Sequence, residues 1–470
     1  MNWNWLISSS ALLCVAPVAL AQSSPPLSDA DVLRAIRTYH PKLAAMRIAV
    51  DAAIAKAREK RGAFDPVLSV GADSMRYNSS STPGKALTTL FTETSVEVLS
   101  RSGAKFYLGQ RFNDGSVKSP NTSAGGLGEW FFGVKIPLSR DRNVNEKTIA
   151  EKQAILGEPL AEFEFSLTQL SVMRDGLLSY WDWRGSEDKL RVQKSLVDLA
   201  ATRRVQIDDF VRAGSRRKLD IIEADSQVSQ RRANVLVAER DRLGKSLKLQ
   251  TYLWMSEAGP QSAPITDQAS RLVLPEAPLP LEAEAAIKTA LDNRPELGAI
   301  VISRRILQLD LDLAKNLRRP QWNLVLQPGV DPGTNGIGGT YKAGIFFSVP
   351  LRWNTADGAA DNARLKLAKL AAEEIGLRQQ ITNEVLDALG AVKLAHARAI
   401  EAQKAVEQLR QVENGERIMF ELGGSSLFLL NQREQATADA ESRAIDAIVA
   451  YFQSVTLLEA SLTELQRKPL

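Results

Sequence analysis

The chain has 470 residues, and 59 Lys+Arg against 55 Asp+Glu leave a formal net charge of +4. That near-balance excludes the concentrated basic face with which a nucleic-acid binder displaces counterions. With two histidines and one cysteine, the soft ligands are too few for a Cys/His zinc centre, a haem site or a thiol nucleophile, and no metal or other cofactor is expected.

Residues 1–21 carry no charged side chain, and Ala19-Leu20-Ala21 forms a small-x-small cleavage pattern before Gln22. The segment reads as a secretory signal peptide, so export is predicted. Leu13 occupies the position before Cys14 where a lipoprotein signal needs a small residue, so no acyl anchor is expected. No later stretch reaches 18 uninterrupted apolar residues, so no transmembrane helix follows. An exported chain can still cross a membrane as a β-barrel, whose strands are short and only alternately apolar.

Leu27-Ser28, with Asp31 three residues on, predicts a capped helix ending near Tyr39. Pro41 then opens a second helix at its first turn, where a missing N–H costs nothing, and that helix stops before Pro66. Strand-like sequence follows and leaves at Ile136-Pro137-Leu138. A long helical segment runs over 142–210, with Gly157 and Pro159 expected to kink it. A turn at Gly214 leads into a further helix over 219–256, and 257–281 is a Pro-rich linker.

The same order then recurs. Arg294-Pro295 opens a helix that stops before Pro320, at the same spacing as Pro41 and Pro66. Strand-like sequence exits at Val349-Pro350-Leu351, a long helix spans 356–420, and Gly423 leads into 427–464. The chain therefore reads as two structural repeats, 22–256 and 282–470. At 1.5 Å per residue each long helix spans roughly 100 Å and must lie against neighbours of similar length. The helices before and after the strands, stacked end to end, nearly match it. Leu219, Ile222, Ser226, Ser229, Ala233, Leu236, Arg240 and Leu243 recur at three-and-four spacing, and so do Ala438, Glu441, Ile445, Ile448, Phe452, Val455, Glu459 and Leu462. Both rows predict seams of antiparallel coiled-coil hairpins.

Trp130, Phe132, Val134 and Ile136 share one strand face, and Tyr341, Ala343, Ile345, Phe347 and Val349 share another. Weaker alternation follows Pro66 and Pro320. The period and terminal aromatics are those of membrane strands, apolar outward and small or polar inward. Four strands cannot close around a passage, and bare sheet edges are forbidden in lipid, so identical neighbours must complete the wall. Three chains would give twelve strands. The first repeat carries two more alternating runs, Thr92–Leu99 and Lys105–Phe112, which read as an added hairpin of unassigned place, outside the membrane on one reading.

These ordered features, twice over, resemble the TolC family of outer-membrane channels along nearly the whole mature chain. The resemblance rests on the His-Pro and Arg-Pro helix starts, the Pro-Leu strand exits, and the glycine turns within Val211–Ile222 and Phe420–Leu430. It implies a mixed α+β membrane protein: a homotrimer with a twelve-stranded β-barrel in outer-membrane lipid, continued through the periplasm by a long α-helical barrel. It also implies a passive exit duct, not an enzyme, docked to a periplasmic adaptor and an inner-membrane transporter. Efflux of small molecules is one reading and type I protein secretion another; a non-conducting periplasmic scaffold is the rival of a different class. In the family the two tips bind the adaptor and constrict the pore. Arg212, Gly214 and Ser215 in one tip, and Gly423, Gly424 and Ser425 in the other, fall at those positions. Asp220, Glu223 and Phe420 match gate positions, while Phe428 stands where many relatives carry acid, so an apolar constriction or plain hairpin packing both fit there.

Overall fold

The computed structural model describes residues 27–78, 86–115, 126–256, 259–260, 270–278, 282–333 and 336–468. The expected signal peptide, and the linker apart from 259–260 and 270–278, lie outside the described residues. Helix α1 (Asp29–Tyr39) begins with a capping box in which Ser28 accepts from the Asp31 amide and Asp31 bonds back. Helix α2 (Pro41–Arg61) starts with its proline at the first turn and His40 as N-cap. Burial, then the neighbouring Lys42, lowers the His40 pKa below its ordinary value. Strands β1 (Val67–Asn78), β2 (Ala86–Leu99), β3 (Lys105–Gly115) and β4 (Glu129–Pro137) follow, then α3 (Glu146–Arg212) and α4 (Lys218–Gln250). A small pair, β5 (Trp254–Ser256) and β6 (Gly259–Pro260), precedes α5 (Ala283–Asn293) and α6 (Pro295–Leu317). Strands β7 (Gln321–Gly333) and β8 (Gly336–Ser348) lead into α7 (Asn354–Glu421) and α8 (Leu427–Ser461). Helix α3 runs on across Gly157 and Pro159.

The helices lie in four side-by-side lanes. Helices α2 and α4 flank one side of α3, α6 and α8 flank the other, and α7 packs beyond them. Short helices thus stack end to end along the 67-residue α3 and the 68-residue α7, as the lengths predict. The core sits midway, where α1 lays Val32, Leu33 and Ile36 against Met173, Leu177, Tyr180 and Trp183 of α3. The described part of the linker crosses the lanes there. Arg184 donates to the Ser270 carbonyl (2.5 Å), the Leu272 amide donates to Asp188 (3.0 Å), and His396 donates to the Pro275 carbonyl (2.8 Å).

One coiled-coil expectation is corrected. In α8 the predicted seam is covered, with Ala438, Ile448 and Leu462 buried, because α8 lies between α3 and α7. In α4 the predicted seam faces outward: Leu219, Ile222, Leu236 and Leu243 are exposed, and Ala224, Val228 and Leu249 are buried instead. An edge helix has two contact faces, and periodicity alone does not say which one its own hairpin uses.

The strand count is also corrected. Six strands, not four, form one antiparallel sheet in the order β1-β2-β3-β4-β7-β8. The added hairpin is inserted between the two strands of the first half, where each of its strands finds a hydrogen-bonding partner on both sides. Outward positions are apolar and uncovered across the sheet: Leu68, Val70, Leu90, Val96, Phe106, Leu108, Trp130, Phe132, Trp322, Ile345 and Phe347 are all exposed. Inward positions are mostly small, polar or paired, with Val67, Met75 and Phe346 as exposed apolar exceptions. Arg111 meets Glu129 at 2.9 Å and lies over the Phe131 ring, and Thr340 donates to Glu129 (2.7 Å). Among the described residues no helix is long and apolar enough to cross a membrane.

Candidate gate at the helical tips

Both long helices end, at the pole opposite the sheet, in the same backbone device. Ser215 N–H donates to the Phe210 carbonyl (2.9 Å) and Gly214 N–H to that of Val211 (3.0 Å). In the second tip Gly424 donates to Met419 (2.8 Å) and Gly423 to Phe420 (3.1 Å). This nested pair is the Schellman closure, which requires a left-handed residue; Gly214 and Gly423 supply it at φ 76° and 81°. Gly214→Ala and Gly423→Ala meet no steric obstacle but pay for the left-handed backbone. Each is expected to cost about 1–2 kcal/mol and to raise limited proteolysis at its own tip only.

Helix α8 is capped by Ser426, whose hydroxyl accepts from the Leu429 amide (3.2 Å), while Ser425 turns its hydroxyl to Glu416. The Ser215 hydroxyl donates to the Phe210 carbonyl (2.8 Å). Arg212 is exposed and paired with Asp208 at 2.6 Å. Asp220 lies in the first turn of α4, a place the helix dipole favours for a carboxylate. It is buried, with Arg217 at 3.8 Å. Glu223 is half-buried, one turn further on.

The two predicted aromatics part company. Phe428 projects freely, 69% exposed. Phe420 is buried with Ile207, Ala224, Leu427 and Leu430, and Arg216 lies over its ring at 4.5 Å. In this arrangement Phe420 pins the two hairpins together, because its position at the end of α7 faces α3 and α4.

Sequence reading missed the strongest polar contact of the tip. Arg203 of α3 makes a two-pronged ion pair with Glu434 of α8, and both side chains are almost wholly buried. Arg231 of α4 reaches Gln435 on the same helix. Burial lowers the Arg231 pKa from its ordinary value, and the Glu434 charge partly opposes that. Nothing local marks these residues, since each pair joins distant parts of the chain.

No family model and no curated protein matches the sequence itself. Solved structures do match the fold. The Campylobacter jejuni CmeC outer-membrane channel aligns over 98% of this chain and 94% of its own, with a TM-score of 0.68 at 11% identity. The Vibrio cholerae outer-membrane protein VceC aligns over 92% and 95% (TM-score 0.66, 12% identity). The open-state MtrE outer-membrane channel of Neisseria gonorrhoeae aligns over 92% and 88% (TM-score 0.63, 14% identity). CmeC and MtrE are outer-membrane channels, and VceC is an outer-membrane protein. A sheet with one apolar face, four lanes of helix and two glycine-closed tips thus give this chain the fold of the TolC-like outer-membrane channels.

Proposed function

We propose that three copies of this chain form the outer-membrane exit duct of an efflux pump, passive in itself and driven by an inner-membrane transporter through a periplasmic adaptor. One observation carries the reading: among the described residues, the same two flanks lack a partner in both sheet and helices. Strands β1 and β8 end the sheet, and α4 and α7 are the lanes beside them. Leu219, Ile222, Leu236 and Leu243 are exposed on α4, and Leu365, Ile375, Leu386 and Leu394 on α7. Strand directions alternate, so β8 of one copy meets β1 of the next antiparallel, and a ring closes without bare edges in lipid. The helical part then lies in the periplasm. The recurrence of helix, helix, strands, long helix and helix supports descent of 22–256 and 282–470 from one repeated unit.

In the ring the tips converge, and the carboxylates of Asp220 and Glu223 recur by symmetry. Like charges brought together repel, attract cations, and make the closed state sensitive to a docked partner. The exposed Phe428 and the exposed basic residues Arg212, Arg217 and Lys218 face that partner. Reconstitution in planar bilayers tests this. Wild type is expected to show low resting conductance with cation preference, and Asp220→Ala with Glu223→Ala to raise conductance and lose the preference. Unaltered single-channel behaviour would remove both residues from the gate. A soluble monomer that never inserts would remove the channel.

A further inference from the structure

We propose that the hairpin β2–β3 is a permanent part of the membrane wall, so that the ring has eighteen strands, six from each of three copies, and a bore for bulkier cargo than twelve strands would pass. The inference rests on the trimeric channel reading and deepens it.

Three observations carry it. The hairpin is inside the sheet and not appended to it. Strand β1 pairs with β2 from Val67 opposite Glu97 to Asn78 opposite Ala86, and never touches β4. Strand β3 in turn pairs with β4 from Lys105 opposite Lys135 to Arg111 opposite Glu129. Removing the hairpin from the wall would break both ladders and leave β1 and β4 with bare edges.

Its two faces also carry the chemistry of a lipid-spanning wall. Leu90, Val96, Phe106, Leu108 and Phe112 point to the side on which Trp130 and Phe132 lie, all exposed, with Thr92, Thr94, Gln110 and Asp114 on the same face. The opposite face carries Glu93, Ser95, Glu97, Lys105 and Arg111, with Lys105 bonded to Glu97 at 2.9 Å. A hairpin standing in water would have no reason to continue the apolar band of its neighbours in register.

Its turn is fixed to the helical part as well. Arg101 grips Glu151 of α3 with two bonds of 2.9 and 2.7 Å. Thr148 donates its hydroxyl to the Arg101 carbonyl (3.1 Å), and the Asn143 amide donates to Ser102 (3.2 Å). Gly103 sits at φ 84°, and a Cβ there would meet the Asp141 carbonyl at 2.2 Å. This turn lies at the junction of sheet and helices, the level at which the other strands also leave the membrane.

Barrel diameter rises about in proportion to strand number, so at equal tilt eighteen strands spaced ~4.8 Å apart enclose roughly 36 Å between backbones, against roughly 24 Å for twelve.

The test uses the exported chain, from which cleavage of the expected signal peptide removes the one cysteine, Cys14, reconstituted in vesicles that contain nitroxide-labelled lipid. Val96→Cys and Leu108→Cys, labelled with bimane, are expected to be quenched severalfold by the lipid and to react slowly with a charged methanethiosulfonate. Glu97→Cys is expected to behave in the opposite way. Reaction at 96 and 108 as fast as at 97 would overturn the proposal. A second variant, with 86–115 excised so that β1 can pair with β4, is compared with the unexcised channel, both carrying Asp220→Ala with Glu223→Ala so that the tips do not limit the current. It is expected to exclude smaller polymers added from the barrel side, with only a modest fall in unit conductance because the helical duct lies in series. An unchanged exclusion limit in an excised channel would also overturn it; if that variant does not insert, the labelling decides. A conducting wild type whose hairpin reacts as water-exposed refutes only the strand count, whereas a wild type that never conducts refutes the channel itself.

Discussion

Glu434→Ala is expected to unlatch the helical tip. The Arg203 and Glu434 side chains are 7% and 4% exposed, so removing the carboxylate strands a guanidinium that water does not reach. Breaking such a pair from one side costs about 3–5 kcal/mol, because the remaining charge is left uncompensated. Asn431, at 3.5 Å, offers Arg203 only a weak neutral substitute. The loss falls on packing between α3 and α8, the contact that holds the two hairpins together at this level. A loss of 3 kcal/mol corresponds to more than a hundredfold in an open-to-closed ratio. The measurement is open probability in planar bilayers, joined to trypsin cleavage at the exposed tip arginines, both of which should rise while insertion is retained. Replacing both partners, Arg203→Leu with Glu434→Leu, should restore much of the closure, since an apolar pair of similar volume leaves no buried charge. Wild-type conductance and cleavage in Glu434→Ala would mean that Phe420 and its apolar neighbours close the tip unaided.

Trp183→Ala is expected to have a comparable cost at the other packed level, midway along the lanes. Trp183 is 1% exposed and lies among Leu33, Leu177 and Tyr180, beneath the short helix α1. Emptying a site of that size costs about 3–5 kcal/mol, as lost burial plus the cavity left behind. The effect should be a lower dissociation temperature of the assembled protein on semi-native gels, and faster proteolysis of α1. The indole nitrogen has no hydrogen-bond partner among the described residues, so Trp183→Phe forfeits no polar contact there and should recover most of the loss. If Trp183→Ala dissociates at the wild-type temperature, the midway core is not what holds the lanes together.

These two sites differ in how far the sequence announces them. Trp183 stands in an aromatic cluster with Tyr180 and Trp181, which marks a packed level. Arg203 is one arginine among many on a long charged helix, and its partner lies 231 positions away. Phe420 illustrates the same gap at closer range. Its place beside the turn glycine was legible, but not its direction, which is inward because α3 and α4 close over that end of α7.

By itself the sequence determined the capped start at Ser28, the proline-led helices, the long lanes, the glycine turns and the outward row from Trp130 to Ile136. All of these depend on backbone preference or on the side-chain period within a single element. Only the tertiary structure decided that β2 and β3 join the sheet, that the apolar row of α4 turns away from its own hairpin, and that Arg203 finds Glu434. A periodic apolar face states that something must cover it. What covers it depends on which segments, far apart along the chain, the fold brings side by side.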